Sequence, residues 1–184
     1  LDCQVPDALV PGPQDPYPHS LHETFERRSS STTYGTEPLE ALESLGIPAG
    51  SLLGERDELL TGPRSAQKAI LMLWAVNRAR GGGGAPAHFS EAKYELTGAM
   101  LRHPATFADP DPAESWRLVL GSSWWHSPRW EEEFPGHTPS TDEVRRFNYV
   151  AELGENVHRA MESATFRAQA DARIAATLAQ APDR

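Results

Sequence analysis

Cysteine and lysine are almost absent from this sequence, which has one cysteine, Cys3, and two lysines among its 17 basic residues. A single cysteine cannot form an internal disulfide, which is typical of proteins from reducing compartments, and we therefore expect a cytoplasmic location. No apolar run approaches the roughly 20 residues of a membrane-spanning helix, and the chain does not open with a basic segment followed by an apolar one. We expect no association with a membrane.

Clusters of basic residues are also missing. Acidic residues outnumber basic residues by 26 to 17, which gives a formal net charge of −9, and no window concentrates lysine and arginine. Because proteins that bind phosphate backbones need such clusters, we expect an acidic protein that does not bind nucleic acid. The glycine run 81–84 lacks the preceding strand and the Gly-Lys-Ser/Thr ending of a phosphate-binding loop, so it predicts a link between helices.

The most apolar stretch runs from Ile70 to Val76, seven consecutive apolar residues in an otherwise polar sequence. Helix-forming residues flank this stretch, a Gly-Pro pair precedes it and Gly81 follows it, which predicts one helix over residues 64–80. A helix that is apolar on all sides is buried, so other segments must surround it.

Capping and periodic patterns predict further helices around this one. Ser90 and Asp111 are expected as N-caps, and Ser140 opens a capping box. The apolar stripe that begins there continues to residue 180, which would give a helix of about 60 Å unless it breaks near Gly154. We expect an all-α protein, a single-domain bundle of four or five helices over residues 37–184 with a long C-terminal helix.

Residues 1–36 differ in composition from the rest of the chain. Five prolines fall between Pro6 and Pro18, and a run rich in serine and threonine follows. Because proline removes backbone donors and favours extended conformations, this segment predicts an extended N-terminal arm that lies along its own domain or along a partner.

Three of the five tryptophans fall within residues 122–136, which we expect to form a loop. Tryptophan anchors protein cores and interfaces alike, because it buries a large apolar face and keeps one hydrogen-bond donor. The rings either close the end of the bundle or line a groove for a peptide, a protein or a small ligand. The candidate binding residues are Trp124, Trp125, His126 and Trp130, with Glu131 to Glu133 as a polar rim.

Glu155 and His158 form a Glu-x-x-His unit, the pattern in this chain that is closest to a metal site. Helical bundles with two metal ions use this unit because residues three apart project together into the core, and Glu91 and Glu95 could add carboxylates. Such a site needs two of these units and this sequence has one. An exposed ion-pairing face is therefore the favoured interpretation, and we expect no cofactor.

Together these patterns favour a non-catalytic protein-binding subunit or adaptor of a larger assembly. It would contact a protein partner, or further copies of itself, through the N-terminal arm, the tryptophan-rich segment and the C-terminal helix. The alternative is a metal-dependent enzyme in which the carboxylates and the histidine of a helical bundle act on a small molecule.

Overall fold

The structure, a computed structural model, describes residues 39–81 and 86–180. The predicted arm over residues 1–36, Cys3 and most of the glycine run lie outside these residues. Nine helices and two short strands occur in the part described, so the all-α class is confirmed, with more and shorter helices than the four or five expected. None of these helices combines the length and the apolar character needed to cross a bilayer. The elements are α1 (Leu39–Ser44), α2 (Ala49–Leu59), α3 (Ser65–Arg80), β1 (Ala87–His88), α4 (Phe89–Arg102), α5 (Pro112–Val119), α6 (Pro128–Glu133), α7 (Thr141–Phe147), β2 (Val150–Ala151), α8 (Glu155–Ala160) and α9 (Ala164–Gln180).

Helix α3 is the helix predicted over residues 64–80, and its burial is confirmed. Every residue from Ala66 to Met72 is buried, and Leu73 and Trp74 are partly buried. The helix also ends where the sequence predicts, because the N–H of Gly81 donates to the carbonyl of Asn77 at 3.0 Å and closes the last turn.

Two apolar clusters form the core, and α3 contributes to both. Ala69, Met72 and Val76 belong to the first cluster, together with residues of α1, α2, α8 and α9. Leu71 and Ala75 belong to the second cluster, together with residues of α4, α5, α7 and both strands. This packing on two sides explains why α3 is apolar around its circumference.

The apolar pattern over residues 141–180 forms three helices and a strand, not one long helix. The capping box at Ser140 is confirmed, with its hydroxyl accepting from the N–H of Glu143 at 3.2 Å. The first break follows at Asn148, whose backbone is left-handed with a φ of 52°. The second break is at Gly154, where a Cβ atom would overlap the backbone oxygen of Ser123, so glycine fits and larger residues do not. The final helix, α9, is 17 residues long.

The start of α4 differs from the prediction that Ser90 is its N-cap. The helix begins at Phe89, and its N-cap His88 makes no capping bond with its side chain. The Oδ1 atom of Asn148 instead accepts a hydrogen bond from the N–H of Ser90 at 2.7 Å. Local spacing could not reveal this cap, because it comes from a residue 58 positions away. The predicted Asp111 cap of α5 is confirmed.

The two strands and one further bridge hold the tryptophan-rich segment in place. Strands β1 and β2 pair antiparallel, with Ala87 opposite Ala151 and with their neighbours paired in register. Next to them, the N–H of His126 donates to the carbonyl of Glu152 at 3.0 Å, and the N–H of Glu152 donates back at 2.9 Å. Residues 126 and 152 are thereby fixed side by side, and the segments that carry Trp130 and Tyr149 lie close together.

Candidate interaction surface

Trp124 and Trp125 are adjacent in the chain but lie in different core clusters. The Trp124 ring stacks on Phe166 with a centroid distance of 6.0 Å, and its Nε1–H donates to the carbonyl of Leu52 at 2.7 Å. The Trp125 ring contacts Trp116 edge-on at 4.9 Å. Both side chains are buried, so neither presents a ring at the surface. Both rings are therefore part of the core.

The residues that follow these two rings are held by backbone bonds and by a short helix. The backbone of His126 is held in the bridge to Glu152, and its side chain is half-buried. The expected loop over residues 122–136 contains helix α6, which begins with Pro128 at its first position. The side chain of Glu131 accepts from the N–H of Ser127 at 3.2 Å, which stabilises the start of this short helix.

Trp130 lies at the surface, in a continuous line of four aromatic rings that we call the aromatic row. Its ring stacks on Phe134 at a centroid distance of 4.1 Å and contacts Tyr149 edge-on at 4.5 Å. Tyr149 in turn contacts Phe147 at 6.5 Å. The order of the rings along the row is therefore Phe134, Trp130, Tyr149 and Phe147. Phe134 lies at the end of α6, and Phe147 lies at the end of α7.

The two ends of the aromatic row are open to solvent, whereas its middle is not. Phe134 is 46% exposed and Phe147 is 56% exposed. Trp130 is half-buried, and Tyr149 is only 5% exposed and belongs to the second core cluster. The exposed rings are thus supported from below by a ring that is part of the fold.

The backbone at Asn148 explains why neighbouring aromatic residues face different surroundings. Its left-handed conformation ends α7 and turns the chain, so Phe147 stays outside while Tyr149 enters the core. The carbonyl of Tyr149 then accepts from the N–H of Phe89 at 2.9 Å. At the other end of the row, Pro135 and Gly136 follow Phe134 and direct the chain away from α6.

The hydroxyl of Tyr149 is buried without a hydrogen-bond partner among the residues described. Burial, with a smaller contribution from the nearby carboxylate of Glu143, raises the pKa of Tyr149 to about 12. The Tyr149 phenol is therefore neutral throughout the physiological pH range and acts as an apolar support for the aromatic row.

Charges of opposite sign lie at the two ends of the row. Helix α6 has three consecutive acidic residues that end beside Phe134, and Glu133 pairs with Arg129 at 3.0 Å on an exposed surface. At the other end, the guanidinium of Arg146 lies 5.3 Å from the centre of the Phe147 ring, within cation–π range.

The four residues considered for metal binding do not form a metal site. Glu91, Glu95, Glu155 and His158 are all exposed. The carboxylate of Glu95 accepts from the Nε1–H of Trp74 at 2.6 Å. Within residues 39–81 and 86–180, no group of three or more His, Cys, Asp or Glu side chains is arranged to hold a metal ion.

An open cleft of about 460 Å³ lies where α2, α3 and the end of α5 meet. Its wall includes Lys68, which is buried, and burial lowers the pKa of this ammonium group. Two charged groups of the cleft are used by the fold itself. The Lys68 ammonium donates to the carbonyl of Thr61 at 2.7 Å, and the Glu55 carboxylate accepts from the N–H of Ser123 at 2.7 Å. These bonds tie the ends of neighbouring elements together, so Lys68 and Glu55 each have a structural role.

Trp130 is the one candidate binding residue from the sequence that lies in the aromatic row. The other three rings of the row, Phe134, Tyr149 and Phe147, were not predicted. The signal that could have identified them is weak: each follows a short helical or turn segment, and no periodic pattern connects residues 130 and 149.

No protein-family model matches this chain, and no curated protein and no solved structure matches it either. Its function is therefore inferred from the geometry of its own residues.

Proposed function

We propose that this protein is a non-catalytic protein-binding subunit or adaptor, and that the aromatic row is its contact surface. The observation that carries the proposal is the exposure of Phe134 and Phe147 at the two ends of a row that is anchored in the core. Large aromatic side chains, together with arginine, are enriched at the centres of protein interfaces. Arg146 beside Phe147 adds such an arginine.

The support beneath the row favours binding. Trp130 packs against Phe134 and Tyr149 on its two sides, and its Nε1–H donates to the carbonyl of His137 at 3.2 Å. A ring held in this way loses little rotational freedom when a partner covers it, so more of the contact energy appears as affinity. The same property distinguishes the row from isolated exposed side chains, which are common on protein surfaces.

The other two surfaces expected from the sequence add little to this proposal. The N-terminal arm lies outside the described residues. Helix α9 packs inside the molecule through Phe166, Ala170 and Ile174, which are buried in the first core cluster. Ala168 and Ala172, which belong to the stripe expected from the sequence, are exposed but offer little apolar area. The aromatic row is therefore the surface on which the proposal depends. The cytoplasm stays the proposed compartment, on the basis of the single cysteine.

The test is capture of binding partners with matched bait proteins. Wild-type protein and the double variant Phe134→Ser, Phe147→Ser are immobilised and exposed to extract from the source cells, and the bound proteins are quantified by mass spectrometry. The control is Leu45→Ser, which removes an apolar side chain that is 66% exposed at the end of α1. We expect specific partners to be retained by wild-type and Leu45→Ser protein and lost from the double variant. Equal recovery on all three baits would refute the proposal.

A further inference from the structure

The charges at the ends of the aromatic row indicate which partner it fits. We infer that the partner is a second copy of this chain, docked about a two-fold axis so that Glu133 of each copy lies against Arg146 of the other. This inference rests on the proposed function of the row as a contact surface. It names the occupant of that surface, which the exposure of the rings alone does not identify.

Glu133 gives one end of the row its acidic character. Glu133 follows Trp130 by three residues on α6, so both side chains lie on the same face of the helix, and it directly precedes Phe134. Its partner within the chain, Arg129, has 88% of its side chain exposed, so water and salt screen this pair and it is easily exchanged. The Glu133 carboxylate can therefore exchange Arg129 for a cation on an approaching molecule at little cost.

Arg146 gives the other end of the row its basic character. Arg146 is exposed beside Phe147 and has no carboxylate within 4.0 Å among the residues described. Its neighbour Arg145, in contrast, is paired with both Asp111 and Asp142. The fold thus leaves one arginine at this end without an acidic partner, and the ring beneath it places its charge at the edge of the apolar surface.

A two-fold axis that crosses the row at right angles makes the same surface face itself in reverse, so each end of the row meets the opposite end of the other copy. Phe134 then packs near Phe147 of the second copy, and the acidic end meets the basic end twice in one dimer. A row with the same charge at both ends would repel its own copy, whereas this row is complementary to itself.

The experiment is a charge exchange, read out as dimer dissociation by sedimentation equilibrium at low salt. Glu133→Arg and Arg146→Glu are made singly and together, and circular dichroism checks that each variant is folded. Each single reversal introduces two repulsive contacts per dimer, so we expect the dissociation constant of the dimer to rise roughly tenfold or more. The double variant restores two opposite-charge pairs in exchanged positions, so we expect its dissociation constant to return close to that of the wild type.

Glu132→Arg is the matched control, because it makes the same charge change on the same helix. Residue 132 follows Trp130 by two positions, about 200° around the helix, so its side chain faces away from the row. We expect this reversal to change the dissociation constant of the dimer only slightly. A dimer that responds equally to Glu132→Arg and Glu133→Arg, or a double variant as weak as the single ones, would overturn the inference.

A chain that stays monomeric at all concentrations would also overturn the inference. This outcome is distinct from failure of the proposed function, because the row would still be a contact surface if Phe134→Ser, Phe147→Ser lost partners from the extract. A dimer that forms equally well with those two substitutions would use a different surface, and would likewise reject the second copy as the occupant of the row.

Discussion

The side chain of Asn148 caps the N-terminus of α4 by accepting a hydrogen bond from the N–H of Ser90. Asn148 also ends α7 in a left-handed conformation with a φ of 52°. One residue therefore completes two helices that are distant in the sequence, and it does so beside Phe147 and Tyr149. The position of the aromatic row depends on this residue.

Replacing Asn148 separates its two roles. Asn148→Ala loses both the cap and the preference for the left-handed conformation, and we expect it to destabilise the fold by about 1–2 kcal/mol. Asn148→Gly adopts the conformation freely but lacks the cap, and Asn148→Asp keeps an acceptor at the same place. Urea unfolding should rank the variants with aspartate the most stable and alanine the least. Equal stability of the alanine and aspartate variants would show that the cap contributes nothing.

Among the glycines that the structure describes, Gly154 has the least space around it. A Cβ atom there would overlap the backbone oxygen of Ser123, which cannot move as the end of a flexible side chain can. We expect Gly154→Ala to destabilise the protein by about 2 kcal/mol, the scale of an overpacked site. Urea unfolding measures the change.

The control for this substitution is Gly54→Ala. Gly54 lies inside α2, and a Cβ atom there would meet nothing within 4 Å. Because alanine has the higher helix propensity, we expect a gain of about 0.5–1 kcal/mol. If both substitutions changed stability in the same direction, the close approach of Ser123 would not explain the requirement at Gly154.

The lowered pKa of Glu114 predicts that the stability of the protein decreases as the pH falls into the acid range. Its hydrogen bond with Arg117 lowers the pKa of the Glu114 carboxyl from 4.5 to about 2, and the Thr141 hydroxyl that it accepts from contributes in the same direction. A lowered pKa in the folded state means that this stabilisation is present at neutral pH and is lost as the pH falls from 4.5 through about 2. Urea unfolding over this pH range should show that the free energy of unfolding falls less for Glu114→Gln than for the wild type. Parallel curves would contradict this expectation.

The raised pKa of Tyr149 predicts that its phenol ionises only late in an alkaline titration. Burial raises its pKa to about 12, so ultraviolet absorbance should show one of the four tyrosines ionising well above the usual value of 10.0. The raised pKa means that this contribution to stability is complete below pH 10.0 and is lost as the pH rises through about 12. In Tyr149→Phe we expect the late step to vanish.

The stability of Tyr149→Phe tests the burial of the hydroxyl separately. Because this hydroxyl has no hydrogen-bond partner among the described residues, its removal should be neutral or slightly stabilising. A loss of more than about 1 kcal/mol would reveal a hydrogen bond at this site.

Local patterns in the sequence predicted the elements that local physics determines. The apolar run in α3, the Asp111 cap and the Ser140 capping box all depend on residues within a few positions of each other, and each is found in the structure. The broken C-terminal pattern was harder to predict, because apolar residues at spacings of three and four continue across the breaks at Asn148 and Gly154.

The aromatic row escaped prediction because its central contact is tertiary. Trp130 and Tyr149 are 19 residues apart in sequence, and their contact depends on the bridge between His126 and Glu152. Composition did draw attention to the tryptophan-rich segment, but it could not separate the buried pair at 124 and 125 from the half-buried ring at 130. That distinction depends on which way each side chain faces.

The placement of Trp124 and Trp125 in opposite clusters has a consequence for how the molecule melts. Trp124 and Trp125 are joined by one peptide bond, and each places its ring in a different cluster. Helix α3 also supplies apolar residues to both clusters. We therefore expect that neither cluster opens while the other keeps its packing. The described residues should consequently lose their structure in a single cooperative transition, with no state in which one half is folded and the other is not.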